Sequence, residues 1–258
     1  MRWIRYTLNG ETGYGMLDDN DRVTAVRGDP FGGYDTTATR LDLADVKLEV
    51  PVVPPTFYCV GLNYVKHIGT EGLAIPKKPD VGYRANNALI AHGEDVIMPA
   101  DANRVHYEGE LVVVIGKKAK HVDIGEAAQC ILGYTIGNDV SERNWQASDR
   151  TFWRSKNTDT FKPMGPWIAA GIDLPAMETA VSVNGRETTR FRTGEMLFGI
   201  EEFISAMSRY ITLYPGDILW MGTDGSSPDL RHGDRVDVTL TGLGTLSNRF
   251  VKAGEPRG

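Results

Sequence analysis

Cysteine is scarce in this chain: two residues, Cys59 and Cys130, in 258. Both sit in apolar surroundings, so they build no disulfide framework and fit a reducing compartment. Long apolar runs are missing as well. No stretch can span a bilayer as a helix, and residues 1–6 carry no apolar signal core, so a cytoplasmic protein is the expectation. Positive charge is not in excess either: 28 Lys and Arg face 34 Asp and Glu, a formal net charge of −6. That balance argues against nucleic acid or an anionic membrane as the main partner. Repeats and low-complexity tracts are absent.

What the chain does have is an ordinary globular composition, 41% hydrophobic and 24% charged, with 29 glycines. So many glycines imply tight turns between short strands. Residues 1–50 read as a small β unit: strand-like 3–8, the hairpin dipeptide Asn9-Gly10, a strand at 14–17 and another at 23–26. The Gly-, Asp- and Thr-rich stretch 28–39 reads as loop. Pro51, Pro54 and Pro55 mark a boundary, and a larger unit follows over 54–251, with 252–258 as a tail. Residues 70–88 read as a loop or lid. Asn184-Gly185 signals a second hairpin, and 200–210 is the clearest helix, with Ile200, Phe203, Ile204 and Met207 on one face. The class is α+β and β-rich.

The chemistry gathers around Tyr107-Glu108-Gly109-Glu110, which runs straight into Leu111-Val112-Val113-Val114-Ile115. The apolar run predicts a buried strand, and strand alternation sends both glutamates to one side. Two carboxylates about 4 Å apart repel by roughly 4 kcal/mol at an effective dielectric constant near 20, so a proton, a Lys or Arg, or a metal ion must compensate. Asp139 closes the next predicted strand, 131–137, and is placed to join them. Three carboxylates with no Cys or His at ligand spacing suit a hard cation, Mg²⁺ before Mn²⁺ or Ca²⁺, and suit zinc poorly. An exposed Glu-x-Glu strand edge is the plain alternative. So is a helix-capping role for Asp139, paired with Glu142 three residues on. His67 is a candidate general base, Lys156 sits in a polar loop, and Gly222-Thr223-Asp224-Gly225 is either a turn or a backbone cradle for a carboxylate.

In order, Gly61-Leu62-Asn63-Tyr64 with His67, Tyr107-Glu108-Gly109-Glu110-Leu111, and Gly137-Asn138-Asp139-Val140-Ser141-Glu142-Arg143 with Gln146 resemble the fumarylacetoacetate hydrolase family. So do Lys156 with Asp159-Thr160-Phe161, then Pro163-Met164-Gly165-Pro166, Pro215-Gly216-Asp217 and Gly222-Thr223. The resemblance covers roughly 54–251. It implies a rolled, β-roll-like mixed sheet behind a small N-terminal β domain, and a homodimer. It also implies Mg²⁺ or Mn²⁺ on Glu108, Glu110 and Asp139, and a small 2-oxo or 1,3-dicarbonyl acid as substrate. By the same resemblance His67 is the base and Lys156 stabilises negative charge. Tyr64, Arg84, Arg143, Gln146 and Thr223 are the implied substrate contacts.

The chain departs from the family pattern where many members carry a Glu three residues after the His, completing a water-activating dyad. Thr70 stands there, and Glu71, one step on, is the candidate replacement. The implied activity is metal-dependent hydrolysis of a C–C bond in aromatic or sugar-acid breakdown. Isomerisation, hydration or decarboxylation at the same site is the first rival, and a metal-dependent binding protein without catalysis is the second.

Overall fold

A computed structural model describes residues 1–70 and 74–255, without the side chains of His67 and Thr70. Strand far outweighs helix in it, arranged in mixed sheets as the β-rich class requires. The largest sheet begins with an antiparallel meander, Arg2–Leu8, Glu11–Leu17, Arg22–Asp29 and Gly33–Asp42. The Asn9-Gly10 turn has both residues at positive φ, 53° and 85°, as a tight two-residue hairpin needs. Stretch 28–39 is not loop: its second part opens strand Gly33–Asp42, which pairs along Arg22–Asp29. Almost all of that strand is exposed. Backbone pairing at a sheet edge holds it, and edge pairing leaves no apolar periodicity to read.

The meander joins the rest of the sheet through Arg2–Leu8, where Arg2 and Trp3 pair with Ala169 and Ile168 of strand Lys162–Ala169. From there the order runs Ile131–Asn138, Gly109–Ile115, Ile218–Trp220, Phe57–Val60 and Val81–Tyr83. The last of these adds a short edge strand inside the stretch expected to be loop or lid. A second sheet holds Arg186–Arg192, Glu178–Val183, Arg235–Leu240, Gly244–Lys252 and Asp95–Met98. Asn184 and Gly185, at φ 53° and 77°, make its hairpin turn. Among the described residues no helix is long and apolar enough to cross a membrane.

Strand Gly109–Ile115 is buried at every position, which is why its sequence does not alternate. Leu111, Val113 and Ile115 join the core that holds Val181, Val238 and helix Ile200–Tyr210. Val112 and Val114 face the other way, against Phe57, Met164, Ile218 and Trp220. Each such side chain contributes about 1.5–3 kcal/mol of burial, so the strand is a rigid central beam. Gly109 lies on the first face, where an added Cβ would stand 2.8 Å from Val238 Cγ1 and 2.9 Å from Val181 Cγ2. Gly109→Ala is therefore expected to cost about 1–3 kcal/mol through overpacking, read as a lower urea midpoint at unchanged m-value. Unchanged stability would mean that the two sheets do not approach this closely.

Candidate metal centre and cavity

Sheet direction collects the acidic groups. Strand Gly109–Ile115 runs antiparallel to both Ile131–Asn138 and Ile218–Trp220, and the latter runs parallel to Phe57–Val60. One end of the sheet therefore receives the start of the first strand and the ends of the other three. Glu110 continues the face of Val112 and Val114, and Glu108 follows two residues earlier. Register sets Glu110 opposite Gly137 and Gly109 opposite Asn138, so Asp139 emerges beside Glu108. Asp139 N donates to Glu108 O at 2.8 Å, and Glu108 N donates to Asn138 Oδ1 at 3.0 Å. Ligand oxygens of Glu108, Glu110 and Asp139 lie within 4.8 Å of one another, and all three residues are buried.

Four cations converge on them. Lys156 Nζ donates to Glu108 Oε2 at 2.6 Å and to Asp139 Oδ2 at 2.8 Å. Arg143 Nη2 donates to Glu108 Oε1 at 2.6 Å, and Arg84 Nη2 to Asp139 Oδ2 at 2.9 Å. Lys162 Nζ lies 2.7 Å from Asp139 Oδ1 and also donates to Val140 O and Phe161 O. Sequence reading passed over Lys162. It follows Phe161 in a Pro-rich run, and its inward direction depends on which face of strand Lys162–Ala169 meets Asp139. A charged residue opening a strand of otherwise apolar residues was the one available signal.

These pairings divide the carboxylates. Burial works against ionisation of Glu108, yet Lys156 and Arg143 bring its pKa down to about 2. Burial likewise opposes ionisation of Asp139, and Arg84, Lys156 and Lys162 hold it well below its ordinary value. Glu110 has no such partner: among the described residues it accepts only the Gly222 N–H, at 2.9 Å. Burial, Asp139 and Glu108 push its pKa well above the ordinary range. A buried carboxylate that needs a positive charge, beside two fixed carboxylates and away from any Cys or His ligand, is a donor set that fits Mg²⁺ or Mn²⁺.

A cavity of about 360 Å³ opens over this cluster. Arg84, Arg143, Gln146, Lys156 and Thr223 line it together with the three carboxylates, and Val60, Leu62, Pro76 and Phe152 supply apolar wall. Gln146 Oε1 accepts from Arg143 Nη1 at 2.8 Å. Tyr64 does not line the cavity: it is buried, its hydroxyl donates to Thr193 O at 2.8 Å, and its ring packs edge-on to Phe191. His67 lies in helix Val65–Thr70, but its side chain, like all of Glu71, is outside the described residues. The helix after Asp139 is one turn, Arg143–Gln146, and its cap is Glu142, whose carboxylate accepts the Trp145 N–H at 2.6 Å. Asp139 caps nothing: Ser141–Glu142 pairs with Val105–His106 and delays the helix start.

The chain is similar to known proteins over most of its length. Residues 56–251 match the family model described as fumarylacetoacetate (FAA) hydrolase C-terminal, and residues 1–51 match one described as Rv2993c-like, N-terminal. Protein Rv2993c of Mycobacterium tuberculosis is 39% identical over 247 residues, 94% of this chain and 93% of its own length. The human oxaloacetate tautomerase FAHD2A, mitochondrial, is 32% identical over 224 residues, 82% of this chain and 71% of its own. The solved 5-carboxymethyl-2-hydroxymuconate delta-isomerase from Mycobacterium smegmatis aligns with a TM-score of 0.90 at 37% identity, covering 98% of this chain and all of that one.

Two expectations follow from the electrostatics. A group with a raised folded-state pKa contributes stability below its unfolded pKa and loses it as pH rises through the folded value. Glu110→Gln should thus raise the melting temperature of the metal-free chain at pH 8, with a smaller gain near pH 5, while weakening Mn²⁺ binding by calorimetry. A lower melting temperature at pH 8 would refute the raised pKa. Lys162→Met leaves Asp139 Oδ1 and two carbonyls short of a buried donor, and should cost about 3 kcal/mol in urea unfolding.

Proposed function

The chain belongs to the fumarylacetoacetate hydrolase family, and on that footing we propose that it isomerises a small 2-oxo acid between keto and enol forms. Supporting this most directly is the concentration of positive charge from Lys156, Arg84 and Arg143, backed by Lys162, on buried carboxylates at the cavity floor. Mg²⁺ or Mn²⁺ held by Glu108, Glu110 and Asp139 would supply Lewis acidity toward the oxygens of a 2-oxo acid. Lys156 is held charged: burial alone would lower its pKa, but Asp139 and Glu108 raise it. Its ammonium therefore stabilises negative charge that grows on the substrate and does not act as a base. Arg143 and Gln146, bonded to each other in the cavity wall, contact substrate oxygens, and Thr223 holds the substrate carboxylate beside the Gly222 turn. Arg84 screens a second anionic group, and the apolar wall excludes water.

Isomerisation asks for one proton-transfer group, and His67 is the residue we assign to it. C–C bond hydrolysis asks in addition for a group that activates water. The described carboxylates of the cavity are Asp80, which is exposed, and the three of the metal set. Hydrolysis is the second reading, and it requires Glu71, four residues after His67, to take the place of the Glu that Thr70 replaces. The isomerase and tautomerase names borne by similar proteins agree with the first.

Deuterium exchange at C3 of oxaloacetate, followed by NMR, tests the assignment alongside cleavage of a 1,3-diketo acid. Exchange should be accelerated, lost in EDTA and restored by Mg²⁺ or Mn²⁺. His67→Ala should lower it about 10²–10⁴-fold, and Lys156→Met about 10²–10³-fold. Cleavage of the diketo acid without exchange would favour hydrolysis, and inertness toward both would overturn enolate chemistry at this site.

A further inference from the structure

Outside the cavity, His106 sits between two groups that dictate its chemistry. Arg143 Nε donates to His106 Nδ1 at 3.2 Å, and His106 Nε2 lies 2.7 Å from Asp229 Oδ1. Arginine is always a donor, so Nδ1 must accept, which leaves the proton on Nε2 and makes Asp229 its acceptor. The imidazole is thereby held neutral, in one tautomer and one orientation. Strand pairing sets the register: His106 is opposite Ser141 and Val105 opposite Glu142, so Arg143 follows opposite Arg104, its N–H donating to Arg104 O at 2.9 Å, and its side chain reaches His106 two residues away. Arg104, 3.5 Å from Asp229, anchors the outer end.

The other edges of Arg143 are also bound, Nη1 to Gln146 Oε1 at 2.8 Å and Nη2 to Glu108 Oε1 at 2.6 Å. A planar guanidinium held on three sides has no freedom to rotate out of the cavity wall. Glu108 and Gln146 both belong to that wall, and His106 holds Nε from behind it. Neither His106 nor Asp229 lines the cavity.

We propose that His106 and Asp229 form a positioning relay that fixes the plane of Arg143 for ligand binding. The proposal rests on the assignment of Arg143 as a substrate contact. Without the relay the guanidinium keeps its charge and loses its aim, so the defect should fall on binding and leave chemistry largely intact.

A double-mutant cycle tests it, using oxalate affinity in the presence of Mn²⁺ and the kcat and KM for oxaloacetate. His106→Ala should weaken oxalate binding and raise KM about tenfold, the scale of one hydrogen bond to a charged group, with kcat within about twofold. His106→Asn, whose Oδ1 can accept from Nε, should recover most of the loss. In an Arg143→Met background His106→Ala should have no further effect. Equal losses in both backgrounds, or no loss in the otherwise unchanged chain, would overturn the relay. A chain that binds no oxalate and turns over no oxaloacetate would sink the functional assignment while the relay stays testable. ¹⁵N spectra of the imidazoles should then show His106 in the Nε2–H form, shifting to a tautomer mixture in Arg143→Met. A mixture already present in the unsubstituted chain would refute the relay.

Discussion

Everything at the carboxylate-bearing end of the sheet depends on one electrostatic balance. Glu108, Glu110 and Asp139 bring three carboxylates into a buried space, and Arg84, Arg143, Lys156 and Lys162 bring four cations against two of them. Burying any of these groups alone would be prohibitive. Together they offset most of that cost, although burial still brings the Lys162 pKa down to about 8, and Glu110, the carboxylate without a cation, identifies where a further positive charge belongs. The same crowding gives a ligand with several oxygens a dense set of donors without reorganisation, which is the condition for stabilising an enolate.

The sheet supplies the rigidity that makes this balance possible. Strand Gly109–Ile115 is packed on both faces, so Glu110 cannot swing away from its neighbours without dislodging the beam it belongs to. Glycines take the closest approaches. At Gly137 a Cβ would meet the Trp220 ring at 2.6 Å, so this position, opposite Glu110, admits no side chain. Asn63 ties three loops at the same end: its side chain donates to Met221 O and Phe198 O and accepts from Phe198 N. Like Tyr64 beside it, Asn63 contributes by holding loop geometry.

Some of this was legible from residue order. The Glu-x-Glu alternation and the uninterrupted apolar run after it follow from strand periodicity, a local property, and they placed Glu108 and Glu110 correctly on one side. The Asn-Gly hairpins and helix Ile200–Tyr210 follow from equally local rules. Strand Gly33–Asp42 escaped because an exposed edge strand is stabilised by backbone pairing that leaves no apolar pattern. The helix cap was misplaced by three residues because Ser141–Glu142 first pairs with Val105–His106, a contact between segments far apart in sequence. Lys162, His106 and Asp229 were passed over for the same reason: nothing within a window of neighbours marks them.

By itself the sequence determined the β-rich class, the buried central strand, the three carboxylates and, through ordered motifs, the family. Those features rest on short-range periodicity and on motif order, which survive without coordinates. Tertiary structure decided which cations neutralise which carboxylate, that Glu110 is the one left without a cation, and that Tyr64 turns away from the cavity. It also decided that Arg143 is braced from behind. Pairing energies depend on distances between residues far apart in the chain, 158 positions for Asn63 and Met221, and such distances are properties of register and strand direction, which no local pattern encodes.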